Sequence, residues 1–334
     1  MAGGPALTRR GFIASASLAS VAALAWPPAA PAQAKVETTS VRIVADPSTC
    51  VAPQYVAEPL LRDEGFTDIS YVEVASDAES QSVVAQGKVD FALDFALKYV
   101  AAIDAGLPLT VLAGIHAGCF ELFAHDHIRN IRDLRGKSIG GEAIGSSAAA
   151  FLVSLGAAIG FDARSDIRWV TGGNPLERFA KGEIDAFLAP PPEVQQLRAR
   201  RIGHVLFSST RDRPWSQYYC CVVGGNNDYL RKHPAATKAV IRALLRSADI
   251  CSAEPGRAAR GVVEHRGSED YETALATVRD IPYGKWRDYS AEDTMRFYAL
   301  RLHEAGIIKS TPAKIIAKGT DWRFLNDVKR ELKE

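Results

Sequence analysis

Short apolar segments alternate with amphipathic helical segments over the first two thirds of the chain. Aliphatic and β-branched runs at 41–45, 69–74, 137–140 and 167–170 predict buried strands, and each strand is followed by a polar loop. Helical patterns of apolar residues separate these strands. Strands that alternate with helices in this way are typical of parallel sheets with crossover helices, so the pattern predicts an α/β fold.

A nine-residue segment occurs twice in the chain. Residues 85–93 (AQGKVDFAL) align with residues 180–188 (AKGEIDAFL). In each copy a glycine ends a short helix, and a Val-Asp or Ile-Asp pair begins a buried strand. The flanking strands and loops match as well, so we predict a duplication that gives two similar lobes. Ligands of open parallel sheets bind beyond the carboxyl ends of the strands, and two facing lobes would hold one ligand between them.

The last third of the chain is predicted to be almost entirely helical. A strand is expected at 217–223, and the longest helix that follows it spans 235–251 with its apolar residues on one face. We expect this helical region to pack on the first lobe. Further helices are predicted at 258–264, 270–279, 291–305, 312–316 and 321–332.

The first 34 residues have the pattern of an export signal. Arg9 and Arg10 precede a mildly apolar run over 11–25, and residues 32–34 (AQA) form a small-x-small cleavage site. The arginine pair resembles that of a twin-arginine signal. A run of about fifteen Ala- and Ser-rich residues is too short to span a bilayer core of ~30 Å. We therefore expect cleavage near Ala34 and a periplasmic location.

Composition and charge exclude several classes of protein. The 334 residues carry 40 Lys and Arg against 39 Asp and Glu, a formal net charge of +1, so the chain lacks the basic surplus of a nucleic-acid binder. Hydrophobic residues make up 47%, which is ordinary for globular proteins. With only five cysteines, the chain is not a small disulfide-stapled domain, and at least one thiol stays unpaired.

Several of these segments resemble the periplasmic solute-binding proteins of ABC importers. The most similar type is the nitrate/sulfonate/taurine group, to which the binders of thiamine pyrimidine precursors also belong. The similarity covers nearly the whole chain after the export signal. It is carried by residues 87–90 (GKVD), 105–109 (AGLPL), 131–140 (IRDLRGKSIG), 181–186 (KGEIDA) and 319–324 (GTDWRF).

The resemblance implies a two-lobed periplasmic binding protein fold of type II, with two hinge-strand crossings and a helical C-terminal segment. The crossings are expected near 117–123 and 217–223. The expected division is a cleaved signal peptide at 1–34, the first part of lobe 1 at 35–118, lobe 2 at 119–223, and the completion of lobe 1 with the C-terminal helices at 224–334.

The resemblance also implies a function in transport. The protein is expected to capture a small oxyanion of the sulfonate, nitrate or aromatic acid class and to deliver it to an inner-membrane permease and its ATPase. We expect a monomer with no cofactor, no metal ion, no catalytic residues and no nucleic-acid or membrane-spanning part. Two alternatives stay open: a pyrimidine-precursor binder or synthase-like protein of thiamine metabolism, and a stand-alone periplasmic sensor or binding protein.

Candidate ligand-binding residues lie in the loops that follow the predicted strands. Ser48 and Thr49 precede a helix, where a hydroxyl could cap the helix or bind a ligand oxygen. Gly145, Ser146 and Ser147 lead into another helix. Hydroxyls, a glycine and free N–H groups at a helix start suit an oxyanion, although Ser146 could equally serve as an N-cap.

Further candidates follow the repeated strands. Asp94 could cap the next helix or accept a hydrogen bond from the ligand, and Phe95 could form an apolar wall of the pocket. Pro190 occupies the equivalent place in lobe 2, where a residue without an N–H would shape the cleft. The remaining candidates each have a packing or capping role as the alternative: His116, Asn174 and Trp215.

Patterns of enzyme chemistry are weak. The chain has no G-x-S-x-G elbow, no P-loop and no G-x-G-x-x-G loop. His125 and His127 are two residues apart, but further metal ligands are not evident near them. The fungal pyrimidine synthase of related fold carries a run of cysteines, whereas only Cys220 and Cys221 are adjacent here. On a strand their side chains should point to opposite faces, which favours packing over chemistry.

Changing Arg9 and Arg10 together to lysine should block export, because lysine keeps the charge but not the guanidinium groups of a twin-arginine signal. The measurement is the amount of protein in the soluble fraction of the cell envelope, with an amino terminus at Lys35. Normal export of the variant would contradict the twin-arginine route but not the periplasmic location.

Overall fold

A computed structural model provides the structure of the chain. It describes residues 1, 3, 35–46, 48–74, 79–141, 147–157, 159–267 and 269–332. Residues 35–334 form one compact unit, distinct from residues 1–34. The predicted export signal lies outside the described residues, apart from Met1 and Gly3. Among the described helices, none combines the length and the apolar character needed to cross a membrane.

The described residues form strands, α-helices and a few short 3-10 turns. The strands are β1 (Ser40–Val44), β2 (Asp68–Val72), β3 (Phe91–Phe95), β4 (Leu109–Ala117), β5 (Glu121–Ala124), β6 (Ser138–Gly140), β7 (Arg168–Val170), β8 (Ala186–Ala189), β9 (His204–Ser208) and β10 (Tyr219–Asn226). The helices are α1 (Ala52–Val56), α2 (Glu58–Asp63), α3 (Ser80–Ala85), α4 (Ala96–Asp104), α5 (Ser147–Ala157), α6 (Pro175–Ala180), α7 (Glu193–Arg200), α8 (Asn227–Lys232), α9 (Pro234–Ala253), α10 (Pro255–Arg266), α11 (Tyr271–Asp280), α12 (Ala291–Glu304), α13 (Pro312–Gly319) and α14 (Arg323–Glu331).

Two five-stranded sheets carry these elements. Their strand orders are β2-β1-β3-β10-β4 and β7-β6-β8-β5-β9. In each sheet the first three strands are parallel, and the fourth strand runs antiparallel to both of its neighbours. The antiparallel strand of each sheet, β10 or β5, is the one that the chain forms directly after it has crossed from the other sheet. The sequence pattern, which predicted parallel strands, did not reveal this antiparallel strand. The predicted α/β fold with two similar lobes is confirmed.

The repeated segment makes the same contacts in both lobes. Gly87 and Gly182 have φ values of +69° and +72°, in the left-handed region where glycine is favoured after a helix. Asp90 accepts a hydrogen bond from the backbone N–H of Arg42 at 2.8 Å. In the other lobe Asp185 accepts one from the backbone N–H of Ser138, also at 2.8 Å. Each carboxylate thus ties the start of its own strand to the parallel strand beside it.

The chain passes between the sheets twice. The first passage covers residues 118–120, between β4 and β5, and falls within the predicted crossing at 117–123. The second covers residues 209–218, between β9 and β10. It begins earlier than the predicted crossing at 217–223, because most of that range is already paired with β3 and β4 as part of β10.

The two passages contact each other. Ser209 Oγ accepts hydrogen bonds from the backbone N–H groups of Cys119, at 3.0 Å, and Phe120, at 2.9 Å. Gly118 has a φ of +56°, and a Cβ atom there would lie 2.4 Å from the Cα of Thr210. A larger residue at Gly118 would therefore push the two passages apart.

The C-terminal helices pack on the first sheet and its helices. Helix α9 contacts α1 and β4, α12 and α13 contact α4, and α14 lies on α9. The apolar face predicted for the longest helix is buried, as at Val240 and Leu244. Some of these helices also reach the second lobe, since α11 contacts α7 and α12 contacts α5. The helical region therefore contacts both lobes.

Replacing Asp90 with alanine should lower the free energy of unfolding by about 1–3 kcal/mol, because the backbone N–H of Arg42 would lose its buried acceptor. Urea unfolding measures this difference. Asp126→Ala is the matched control, since the Asp126 side chain is 97% exposed. Equal stability of the two variants would contradict the role given to the repeated aspartate.

Candidate functional site

A cavity of about 480 Å³ lies between the strand ends of the two lobes. Lobe 1 borders it with the segment after β1, the end of β3 and part of β10. Lobe 2 borders it with the segments that follow β6, β7 and β8. This arrangement brings together the carboxyl ends of parallel strands from both sheets. The predicted site residues that line it are Ser48, Asp94, Phe95 and Pro190.

One wall of the cavity is aromatic. The ring centroids of Phe95 and Phe120, which both line the cavity, are 5.4 Å apart. Behind them Phe151 packs 5.6 Å from Phe95 and 5.5 Å from Phe120. Rings fixed in this way offer a rigid apolar surface to the body of a ligand.

Ser48 links the two lobes across the cavity. Its Oγ donates a hydrogen bond to the carbonyl oxygen of Pro191 at 3.1 Å and also lies 3.1 Å from Cys50 Sγ. Its backbone N–H donates to Asp46 Oδ1 at 2.7 Å. The side chain does not cap the short 3-10 turn that follows, so its hydroxyl is directed to the cleft and not to the helix start.

Arg266 places a guanidinium group at the cavity, paired with Glu269, and was not among the predicted site residues. Of the described residues that line the cavity, it is the one with a cationic side chain. Its Nη1 lies 3.1 Å from Glu269 Oε2, and Thr49 Oγ1 donates to the same oxygen at 2.5 Å. Burial raises the pKa of Glu269. Thr49 is fully buried and helps to hold Arg266 through Glu269. The Nε and Nη2 atoms of Arg266 carry further N–H donors.

Asp94 is buried at the cavity edge with its charge compensated. Its Oδ2 accepts hydrogen bonds from Lys98 Nζ and Gln81 Nε2, both at 2.8 Å. Its Oδ1 accepts from the backbone N–H of Phe95, and the side chain does not cap α4. Because Lys98 balances the carboxylate, Asp94 adds little net negative charge to the cavity.

Three other predicted residues have structural contacts away from the cavity. Asn174 caps α6, since its Oδ1 accepts from the backbone N–H of Glu177 at 3.1 Å. Trp215 is buried and packs edge-on against Phe207 with ring centroids 5.4 Å apart. His116 is fully buried next to cysteines that line the cavity. None of the three is among the described residues of the cavity wall.

The predicted oxyanion loop lies mostly outside the described residues. Gly145 and Ser146 are not described, and of Ser147 only the backbone is described, as the first residue of α5. The residues that flank the undescribed segment, Gly141 and Ala148, both line the cavity. Both ends of the loop therefore adjoin the candidate site.

Four cysteines gather beside the cavity. Cys119 Sγ lies 3.0 Å from Cys220 Sγ, and Cys50 Sγ lies 3.9 Å from Cys221 Sγ. Burial raises the pKa of the Cys119 and Cys220 thiols well above the usual range. Hydrogen bonds with the thiols of Cys119 and Cys221 instead hold the pKa of Cys50 well below it.

The prediction that Cys220 and Cys221 point to opposite faces of a strand is wrong. The pairing of β10 with β4 is irregular on both sides of Cys221, as at a β-bulge. As a result both thiols contact that of Cys119. Sequence alone gave no signal for this irregularity, because the flanking residues are ordinary strand formers.

A second cavity, of about 540 Å³, lies between α4 and α5. Its wall is mostly Ala, Leu and Val side chains. Two of its polar residues, Gln81 and Lys98, are engaged with Asp94. This second cavity lies away from the strand ends and has few converging polar groups. The cavity between the strand ends is therefore the better candidate site.

Solved structures of low sequence identity share this architecture. The alkanesulfonate-binding protein SsuA from Xanthomonas axonopodis pv. citri, bound to MOPS, has a TM-score of 0.68 at 17% identity, over 86% of this chain and 99% of that chain. The periplasmic nitrate-binding protein NrtA from Synechocystis PCC 6803 has a TM-score of 0.72 at 13% identity, over 89% of this chain and 90% of that one. A Candida albicans gene product with the generic periplasmic binding protein fold has a TM-score of 0.65 at 14% identity, over 84% of this chain and 96% of that one.

These likenesses confirm the two-lobed periplasmic binding protein fold of type II. No curated protein sequence matches the chain significantly. The family model described as NMT1/THI5 like matches residues 49–258, which is more than half of the chain and includes strands of both sheets. The chain therefore belongs to the NMT1/THI5-like family.

Proposed function

We propose that the protein is the extracytoplasmic substrate-binding component of an ABC importer. In this role it captures a small solute with an anionic oxygen group between its lobes and delivers it to a permease and its ATPase. The observation that carries the proposal is the cavity of about 480 Å³ bordered by strand ends of both lobes, a volume that suits a small solute. Proteins of the same fold that bind alkanesulfonates and nitrate support the oxyanion class.

Two features favour an anionic group, one on each lobe. On lobe 1, Arg266 faces the cavity and is positioned by Glu269. On lobe 2, the loop with Ser146 leads into α5, whose first turn lines the cavity at Ala148. The dipole of a helix start stabilises negative charge. We place the anionic oxygens of the solute between the Ser146 loop and the guanidinium group of Arg266.

The rest of the lining suits the body of the solute. Phe95 and Phe120 would contact its apolar part. Asp46 and Glu193 also line the cavity, and the negative charge of their carboxylates disfavours a second anionic group on the solute. A sulfonate or an aromatic acid with a single anionic group therefore fits this lining better than a polyanion does.

Polar contacts join the lobes beside the packing of α5 on α4 and α12 and of α7 on α11. Ser48 bonds to Pro191 on one side of the cavity. Asp280 Oδ2, on α11, accepts hydrogen bonds from Arg198 Nη1, at 2.7 Å, and Gln195 Nε2, at 3.1 Å, both on α7. The Asp280 side chain is 45% exposed, so its ion pair with Arg198 is weak. Contacts of the solute with both lobes would therefore decide whether the closed form is populated.

A melting-temperature screen of the purified protein against small sulfonates, nitrate and aromatic acids should identify stabilising solutes. A solute at a hundred times its dissociation constant adds about 2.7 kcal/mol to the free energy of unfolding, which raises the melting temperature by several degrees.

Arg266→Gln should weaken binding of the best solute by about 1.5–3 kcal/mol, because a charge-assisted interaction is lost, and Ser146→Ala should do the same on the other lobe. The control is Arg231→Gln, because the Arg231 side chain is 70% exposed and distant from the cavity lining. Unchanged affinity in both cavity variants would contradict the anion site.

Asp280→Ala should favour the open form, because lobe 2 would lose two hydrogen bonds to the C-terminal helices. We expect a larger radius of gyration in small-angle X-ray scattering without solute, and a loss of unfolding free energy below about 1 kcal/mol. Asp228→Ala, at a side chain 68% exposed, is the control. A variant as compact as the control would show that these contacts do not hold the lobes together.

A further inference from the structure

Three side chains from distant parts of the chain converge next to the cavity. Cys50 follows β1, His116 lies near the end of β4, and Cys221 lies on β10. The two Sγ atoms and a ring nitrogen of His116 all lie within 4.8 Å of one another. The three residues are 4%, 0% and 4% exposed, respectively. In the strand pairing, Cys221 stands directly opposite His116, which fixes their separation through the sheet.

The hydrogen bonding of His116 leaves one nitrogen available. Its Nδ1 lies 3.2 Å from the carbonyl oxygen of Gly118, so Nδ1 carries the proton and donates it. Its Nε2 is buried and has no hydrogen-bond partner among the described residues. An imidazole that donates through one nitrogen to a backbone carbonyl and presents the other as a lone pair has the arrangement of a metal-bound histidine.

The sulfur positions fit a metal ion as well. Two thiolates bound to a tetrahedral Zn²⁺ at about 2.3 Å stand about 3.8 Å apart. Cys50 Sγ and Cys221 Sγ are 3.9 Å apart. The two sulfur atoms therefore need little movement to bind one ion.

We infer that Cys50, His116 and Cys221 form a binding site for one thiophilic cation, Zn²⁺ or Cu⁺. Thiolate and imidazole ligands select these ions over Mg²⁺ and Ca²⁺, which prefer oxygen ligands. On binding, the two thiol protons leave to solvent. The ion can enter from the cavity, because Cys50 and Cys221 both line it. Cys119, which also lines the cavity, stands next to the site and offers a further sulfur for a fourth position.

This site goes beyond the proposed transport function and is independent of it. The anionic group of the solute is placed at Arg266 and the Ser146 loop, whereas the cation site uses none of those side chains. A protein that binds solutes but not metal ions, or the reverse, would separate the two proposals.

The direct test is metal titration of the purified protein after reduction with a phosphine that does not compete for metal ions. Co²⁺, used as a spectroscopic probe for Zn²⁺, should give thiolate-to-cobalt charge-transfer bands and the visible bands of a tetrahedral site, saturating at one ion per chain. Competition with chromophoric chelators for Zn²⁺ and for Cu⁺ then identifies the preferred ion, and tight binding of either supports the inference. Absence of the charge-transfer bands together with no competition for either ion would overturn it.

Variants assign the ligands. Cys50→Ser, His116→Gln and Cys221→Ser should each weaken binding by more than about 100-fold, since loss of a direct ligand exceeds the 10–100-fold cost of losing its supporting partner. Cys251→Ser is the matched control, because Cys251 is a fully buried thiol on α9 outside the cluster. Melting curves without metal show whether each variant is folded. If a variant does not fold, the cobalt spectrum of the wild-type protein still tests whether the site exists.

Two results would overturn the assignment. One is wild-type affinity in folded Cys50→Ser and Cys221→Ser variants. The other is isolation of the protein from the cell envelope with Cys50 and Cys221 joined in a disulfide, since both sulfurs would then be lost as ligands.

Discussion

The hydrogen bonds from Cys119 and Phe120 to Ser209 hold together the two segments that join the sheets. With Gly118 packed on Thr210, they fix where the sheets meet and leave the carboxyl ends of both sets of parallel strands facing the same space. The cavity exists because of this junction. The antiparallel strands β5 and β10 are a consequence of it too, since each continues a segment that has crossed from the other sheet.

The same junction connects the cavity with the cysteine cluster. Gly118 accepts the hydrogen bond that orients His116, and Cys119 is itself part of the first passage. Cys50, His116 and Cys221 themselves all belong to the lobe of the first sheet. An ion bound there would join the segment after β1 to β4 and β10.

Local sequence patterns predicted the elements and the repeat well. The period of apolar residues and the Gly-x-Val/Ile-Asp pattern can be recognised within a few residues of sequence. Asp90 and Asp185 share the same backbone hydrogen bond to the neighbouring parallel strand. Cavity residues such as Ser48 and Pro190 were found because they directly follow strands. Arg266 was missed because it ends a helix far along the chain and reaches the site only through tertiary packing. The convergence of Cys50 with Cys221 was not predicted for the same reason, since it too depends on tertiary packing. It also depends on a bulge in β10 that the sequence does not signal.

The most direct test of the central account is a crystal structure of the protein with its strongest stabilising solute. We expect density for one solute in the cavity, in contact with residues of both lobes and with its anionic oxygens next to the loop that contains Ser146. Solute bound outside the cavity, or in contact with a single lobe of an otherwise unchanged protein, would contradict capture between the lobes.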